Sequence, residues 1–135
     1  MRDEHMALLH ASFATVFDRR KEIADRFYEH LFSHAPEARA LFSNDIERQK
    51  RMFASMLGEV VRCVETTGEF AERLEALAES HRHYRIPAAL FEVAGRALKD
   101  ALSDVLDGLL SSAEMQVWKR AAERMMVAMA SAAET

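Results

Sequence analysis

The chain has 135 residues, half of them hydrophobic and 30% charged, with a formal net charge of -4. No basic stripe marks a nucleic-acid surface, and no apolar run approaches the roughly 20 residues needed to cross a bilayer. One cysteine, Cys63, excludes an internal disulfide framework and a cysteine-based zinc site.

The opening MRDEHMALLH carries charges of both signs and does not read as a signal peptide. A single cytoplasmic domain spanning residues 1–135 is therefore expected, long enough to bury its own core. Four glycines and two prolines, against abundant Ala, Leu, Glu, Arg and Met, predict an all-α fold with almost no strand or hairpin signal.

The periodicity predicts a first helix over 3–18, with Met6, Leu9, Phe13, Val16 and Phe17 on its inward side. A second runs over about 19–33 and buries Ile23, Ala24, Phe27, Leu31 and Phe32, with Tyr28 alongside. Ala35-Pro36 ends it, and Pro36 opens a short helical turn through Leu41. Ser43 and Asn44 are good N-caps, and Glu47, three residues after Asn44, completes a capping-box pattern. The next helix is expected over 45–66, with Phe53, Met56, Leu57, Val60 and Val64 inward and Gln49 one turn before Phe53.

A fifth segment, 70–84, places Phe70, Leu74, Leu77 and Ala78 on one face, and His81 continues that face. Taken alone, such a histidine reads as a hydrogen-bonded core residue before it reads as a metal ligand. Pro87 starts a helix over 87–107 with Leu90, Phe91, Ala94, Leu98 and Ala101 on one side, and Gly108 bends or ends it. Ser111 or Ser112 caps the last helix, with Glu114 in its first turn. Met115, Trp118, Ala122, Met125, Met126 and Met129 face inward, the methionines as gap-filling core. Trp118 is expected to pack, Cys63 to be a small buried hydrophobe, and His5, His10, His30 and His34 to be solvated or partly exposed.

Four stretches together resemble the globins, in particular single-domain bacterial haemoglobins and the globin domain of flavohaemoglobins. FYEHLFSHAPEARALF (residues 27–42) resembles the bacterial globin pattern of an aromatic pair, Leu-Phe, Pro-Glu, then Leu-Phe. His81, followed by Ile86, Phe91, Gly95 and Leu98, is spaced like the run from the proximal histidine into the next helix. DIERQKRMFASML (45–57) resembles the distal helix, with glutamine at the ligand-facing position, and VWKRAAERMM the start of the last helix.

The resemblance implies an all-α globin fold of about six to seven helices around a haem b pocket. His81 would be the metal ligand through a neutral imidazole. His83 lies about 200° around the helix from it, so both cannot face one iron. Phe42 would wedge against the haem, and Phe53 would fill the back of the distal pocket. Tyr28 and Gln49 would donate hydrogen bonds to dioxygen, which carries partial negative charge there. Ile86, Phe91 and Leu98 would line the proximal side. Arg85, with Lys50, Arg51, Arg82 and His83, would be a candidate partner of the propionates.

The implied function is reversible binding of dioxygen or another diatomic gas, for oxygen transport or nitric oxide detoxification, by a monomer or homodimer. A gas-sensing or haem-free regulatory globin module acting through a partner protein is the alternative, and a plain helical bundle without cofactor the last. Two departures stand out. The position ten residues after His81 is Phe91 where the reductase-fused relatives carry tyrosine, and Glu123 comes too early to match their late glutamate. A strong electron push from the proximal side is therefore not expected, and turnover would draw on an external reductase.

Overall fold

A computed structural model describes residues 2–41, 46–63, 72, 75, 76, 78, 79 and 86–133. Among the described residues there are five α-helices and one short 3-10 helix. They are α1 (Arg2–Asp18), α2 (Arg20–His34), the 3-10 helix Pro36–Leu41, α3 (Ile46–Cys63), α4 (Ala88–Leu106) and α5 (Ser112–Ala133). Residues 72, 75, 76, 78 and 79 are also helical. This agrees with the all-α expectation, and the count of long helices falls just below the six to seven foreseen.

The helix ends follow local chemistry. α2 stops at Ala35, which leaves helical torsions (φ −138, ψ 76) while its N–H still bonds Leu31. The Pro36 ring excludes a helical residue before it, and the tight 3-10 turn begins there. α4 starts after Pro87, whose extended ψ of 141 turns the chain into the helix. It ends before Gly108, which sits at φ +79, a conformation that a side chain would strain. Of the two serine caps proposed for the last helix, Ser111 is the one used. Its Oγ accepts from the Glu114 N–H at 3.1 Å, and the Glu114 carboxylate accepts from the Ser111 N–H at 2.9 Å. That reciprocal pair is a capping box.

α4 is the central element, packing against α2 on one side and α5 on the other. Its face of Phe91, Ala94, Ala97, Leu98, Ala101, Leu102 and Leu106 is buried. Small residues at 94, 97 and 101 let the neighbouring helices approach closely. A Cβ on Gly95 would meet Met126 of α5 at 3.4 Å. Met125, Met126 and Met129 fill the α5 side of the core as expected. α1 lies across α3 and α5. Of its five expected inward residues only Val16 is fully buried, while Leu9, Phe13 and Phe17 are partly buried against the core. The buried polar residue of the described core is Ser12, which the apolar periodicity passes over. It accepts a 2.7 Å hydrogen bond from the Trp118 indole, so Trp118 packs and is also tied across 106 residues of sequence.

Candidate functional site

α2 and α3 bring three of the foreseen site residues together, Tyr28, Gln49 and Phe53. Phe27 of α2 stacks on Phe53 of α3, with centroids 4.4 Å apart and planes 9° from parallel. Tyr28 meets Phe53 edge-on at 5.5 Å and Phe32 at 5.8 Å. Neighbours in sequence point about 100° apart on a helix, so Phe27 and Tyr28 hold Phe53 from two directions. The Tyr28 ring is 3% exposed.

The Gln49 amide Nε2 donates to the Tyr28 phenol oxygen at 3.4 Å, at the long end of hydrogen-bonding distance. Burial pushes the Tyr28 hydroxyl up to about 12, with the Gln49 hydrogen bond opposing in part. The phenol is therefore neutral at ordinary pH. A neutral phenol whose oxygen accepts from an amide keeps its O–H hydrogen and so keeps the character of a donor. A cleft of about 420 Å³ between α2, the 3-10 helix and the start of α3 is lined by Tyr28, Phe32, Arg39, Ile46, Glu47 and Lys50. Arg39 lies over the Phe32 ring at 5.1 Å. Lys50, one of the cations foreseen for propionates, sits between Asp25 at 3.6 Å and Glu47 at 3.7 Å. Arg51, another, is exposed.

On α4, Phe91 and Leu98 are buried, with Ile86 partly buried just before Pro87. They belong to the same apolar cluster as Phe27, Tyr28 and Phe53. Before them, Ala78 is 7% exposed while Glu72, Glu75, Ala76 and Glu79 are exposed, and Phe70, Leu74 and Leu77 of the face foreseen there lie outside the described residues. Three of the foreseen site residues, Phe42, His81 and Arg85, lie outside the described residues, as do Ser43, Asn44, Arg82 and His83.

Sequence reasoning missed a second polar cluster, where His30 and His34 of α2 face Asp104 and Asp100 of α4. His30 Nε2 is 2.6 Å from an Asp104 oxygen and His34 Nε2 is 3.9 Å from one of Asp100. The signal was present as two four-residue spacings, His30/His34 and Asp100/Asp104, each putting both members on one helix face.

The globin family model matches residues 25–129. A flavohemoprotein of Halalkalibacterium halodurans is 24% identical over an alignment 127 positions long that covers 89% of this chain and 30% of that protein. This chain therefore spans under a third of that relative. Among solved structures, a bacterial globin from Campylobacter jejuni superposes with a TM-score of 0.78 at 14% identity, covering 98% of this chain and 96% of that one. An engineered carbene transferase, built on a provisionally assigned nitric oxide dioxygenase from Rhodothermus marinus, superposes at 0.77 with 24% identity, over 94% and 89% of the two chains. At those identities the two structures speak to the fold, which is that of a globin. No helix among the described residues is long and apolar enough to cross a membrane.

Proposed function

The chain belongs to the globin family, and on that premise we propose that residues 1–135 form one globin domain that holds haem through His81 and binds dioxygen or another diatomic gas beside Tyr28. The observation that carries this reading is the buried, neutral Tyr28 phenol, hydrogen-bonded to Gln49 and walled by Phe53. A chain that needed only a packed core at this place would have no use for a buried hydroxyl and an amide set against each other, since burying them unpaired is costly.

The residues present fit haem in chemical kind. Phe53, Phe91, Leu98 and Ile86 offer an apolar surface for a flat macrocycle, with a hydrogen-bond donor set on one side. When bound, the haem iron supplies the coordination site for the gas. The protein does the rest. The aromatic wall of Phe27 and Phe53 excludes water, which strengthens each remaining polar interaction. Gln49 orients the phenol by donating to its oxygen, and Tyr28 would be the residue to donate a hydrogen bond to the gas. Burial holds the Tyr28 hydroxyl neutral, the form in which a phenol donates a hydrogen bond. In sequence His81 lies three residues after the buried Ala78, the spacing on which its proposed role as haem ligand rests. Phe42 and Arg85 are proposed to pack on the macrocycle and to meet a propionate.

The relative named flavohemoprotein and the neighbour linked to nitric oxide dioxygenation support a second stage of the same reading. In it, one nitric oxide and one dioxygen would combine to one nitrate beside Tyr28, with the single electron that the balance requires supplied by a separate reductase. Absorption spectra of the purified protein with added haemin test the core of this. A Soret band that His81→Ala abolishes is expected. Tyr28→Phe should speed dioxygen release about ten- to hundredfold, the worth of one hydrogen bond to a charged acceptor. An absent Soret band would move the protein to the haem-free regulatory reading, and an unaltered off-rate would remove Tyr28 from the site.

A further inference from the structure

His30 lies two residues after Tyr28, about 200° around α2, so it points away from the gas pocket. On that opposite face α2 and α4 each carry two polar residues one turn apart. His30 and His34 look across at Asp104 and Asp100. The two imidazole rings are near-parallel, 14° apart in plane and 6.4 Å between centroids. One ligand atom from each of His30, His34 and Asp100 lies within 4.8 Å of the others. We propose that these three side chains form a second metal site, for a divalent transition-metal ion of the zinc class, with Asp104 orienting the His30 ring.

The donor set selects the ion. Two imidazoles and one carboxylate suit zinc, nickel and copper, whereas magnesium and calcium take oxygen ligands almost alone. Around zinc, bonds of about 2.0–2.2 Å place neighbouring tetrahedral ligand atoms roughly 3.3–3.5 Å apart. The 3.9 Å between His34 Nε2 and the Asp100 oxygen is therefore a few tenths of an ångström from a bonded geometry. His34 and Asp100 are both about half exposed, so their rotamers close that gap without moving either helix.

Asp104 supplies the outer contact that such sites use. A carboxylate hydrogen-bonded to a ligating histidine fixes its tautomer and ring plane; the 2.6 Å contact engages His30 Nε2 with Asp104, so His30 would ligate the ion through Nδ1. His34 and Asp100 stand at the edge of an open groove of about 520 Å³ that Arg96, Lys99, Lys119, Arg120 and Glu123 also line, so the site faces solvent and the ion must hold against those cations. Bound there, the ion ties α2 to α4 and so clamps the two helices that carry Tyr28 and Phe91.

The competing account is a pair of interhelical imidazole–carboxylate contacts that hold no ion. Zinc titrated into the untagged full-length protein, with binding followed by calorimetry and stoichiometry by metal analysis after dialysis, separates the two. One zinc per chain is expected. His34→Gln and Asp100→Asn should each weaken it by about tenfold or more, and Asp104→Asn by roughly 10–100-fold as the loss of an outer-shell partner. His5→Gln, far along α1, should leave it unchanged. Zinc should raise the melting temperature of the parent protein and not of His34→Gln, by the linkage of binding to folding. These positions are partly or fully exposed, so circular dichroism of the variants should match the parent. No zinc above the dialysis buffer, or equal affinity in the parent and in His34→Gln, overturns the site. Either result leaves the haem reading untouched, because the zinc readouts do not involve His81 or Tyr28.

Discussion

Ser12→Ala is the sharpest test of how the first helix is held. Ser12 is 2% exposed and Trp118 is 4% exposed. The Ser12 hydroxyl donates to the Leu8 carbonyl at 2.7 Å and accepts from the Trp118 indole at 2.7 Å. Alanine removes one oxygen and leaves the indole N–H buried without an acceptor. An orphaned buried donor costs about 1–3 kcal/mol. The Leu8 carbonyl loses only an extra partner, and alanine gains about 0.5 kcal/mol of helix propensity over serine. The net expected loss is about 1–2 kcal/mol, or several degrees in melting temperature. Trp118→Phe removes the donor, so in that background Ser12→Ala should cost nothing or stabilise slightly. Reversible denaturant unfolding of the four proteins, followed by far-ultraviolet circular dichroism, gives the cycle. A coupling of about 1–2 kcal/mol is expected for groups in direct contact. Equal costs of Ser12→Ala in both backgrounds would refute the assignment of that energy to the orphaned indole.

Three further outcomes follow from the same structure. The Tyr28 hydroxyl is raised from 10 to about 12, so the folded state keeps its proton where the unfolded chain has lost it. The stabilisation it confers is complete below pH 10 and falls as pH rises toward 12, by at most about 1.4 kcal/mol per pH unit. Tyr28→Phe should flatten that part of the alkaline unfolding curve, and parallel curves would be the contrary result. Gly95→Ala should stabilise by about 0.5–1 kcal/mol in thermal melts, since helix propensity favours it and its Cβ meets Met126 at an ordinary 3.4 Å. Ser111→Ala should cost about 1 kcal/mol by opening the capping box at the start of α5, measurable as a lower urea midpoint with unchanged slope.

The helices were legible because their signals are local. Pro36 and Pro87 mark corners whose chemistry needs no distant partner, and Ser111 with Glu114 closes its capping box within four residues. The buried face of α4 was readable from spacing alone, since Phe91, Ala94, Leu98 and Ala101 recur at helical intervals. α1 was read less well. Its apolar residues spread around the helix, so periodicity named Met6 and Leu9 as inward although neither is fully buried. Ser12 is polar and was invisible to an apolar pattern, although Oγ–indole bonding makes it one of the most enclosed residues.

The site was legible in a different way. Periodicity assigns a residue to a face, but it cannot name what meets that face. Tyr28 and Gln49 are 21 residues apart and were paired only through the family resemblance of the segments that carry them. Lys50 shows the limit of that route. Charge and position made it a candidate for propionates, but Asp25 one helix away and Glu47 three residues before already hold its ammonium. For Lys50 to serve haem it must leave two carboxylates, whereas Tyr28 already stands against Gln49 and Phe53 within the foreseen pocket. Its burial enforces the neutral donor form that such a pocket needs. His30 and His34 lie beyond the resemblance altogether, because their chemistry exists only where α2 crosses α4 and Asp100 and Asp104 arrive from 66 to 74 residues on. That crossing joins the helix of Tyr28 to the helix of Phe91, so an ion bound there would stiffen the frame of the gas pocket without touching it.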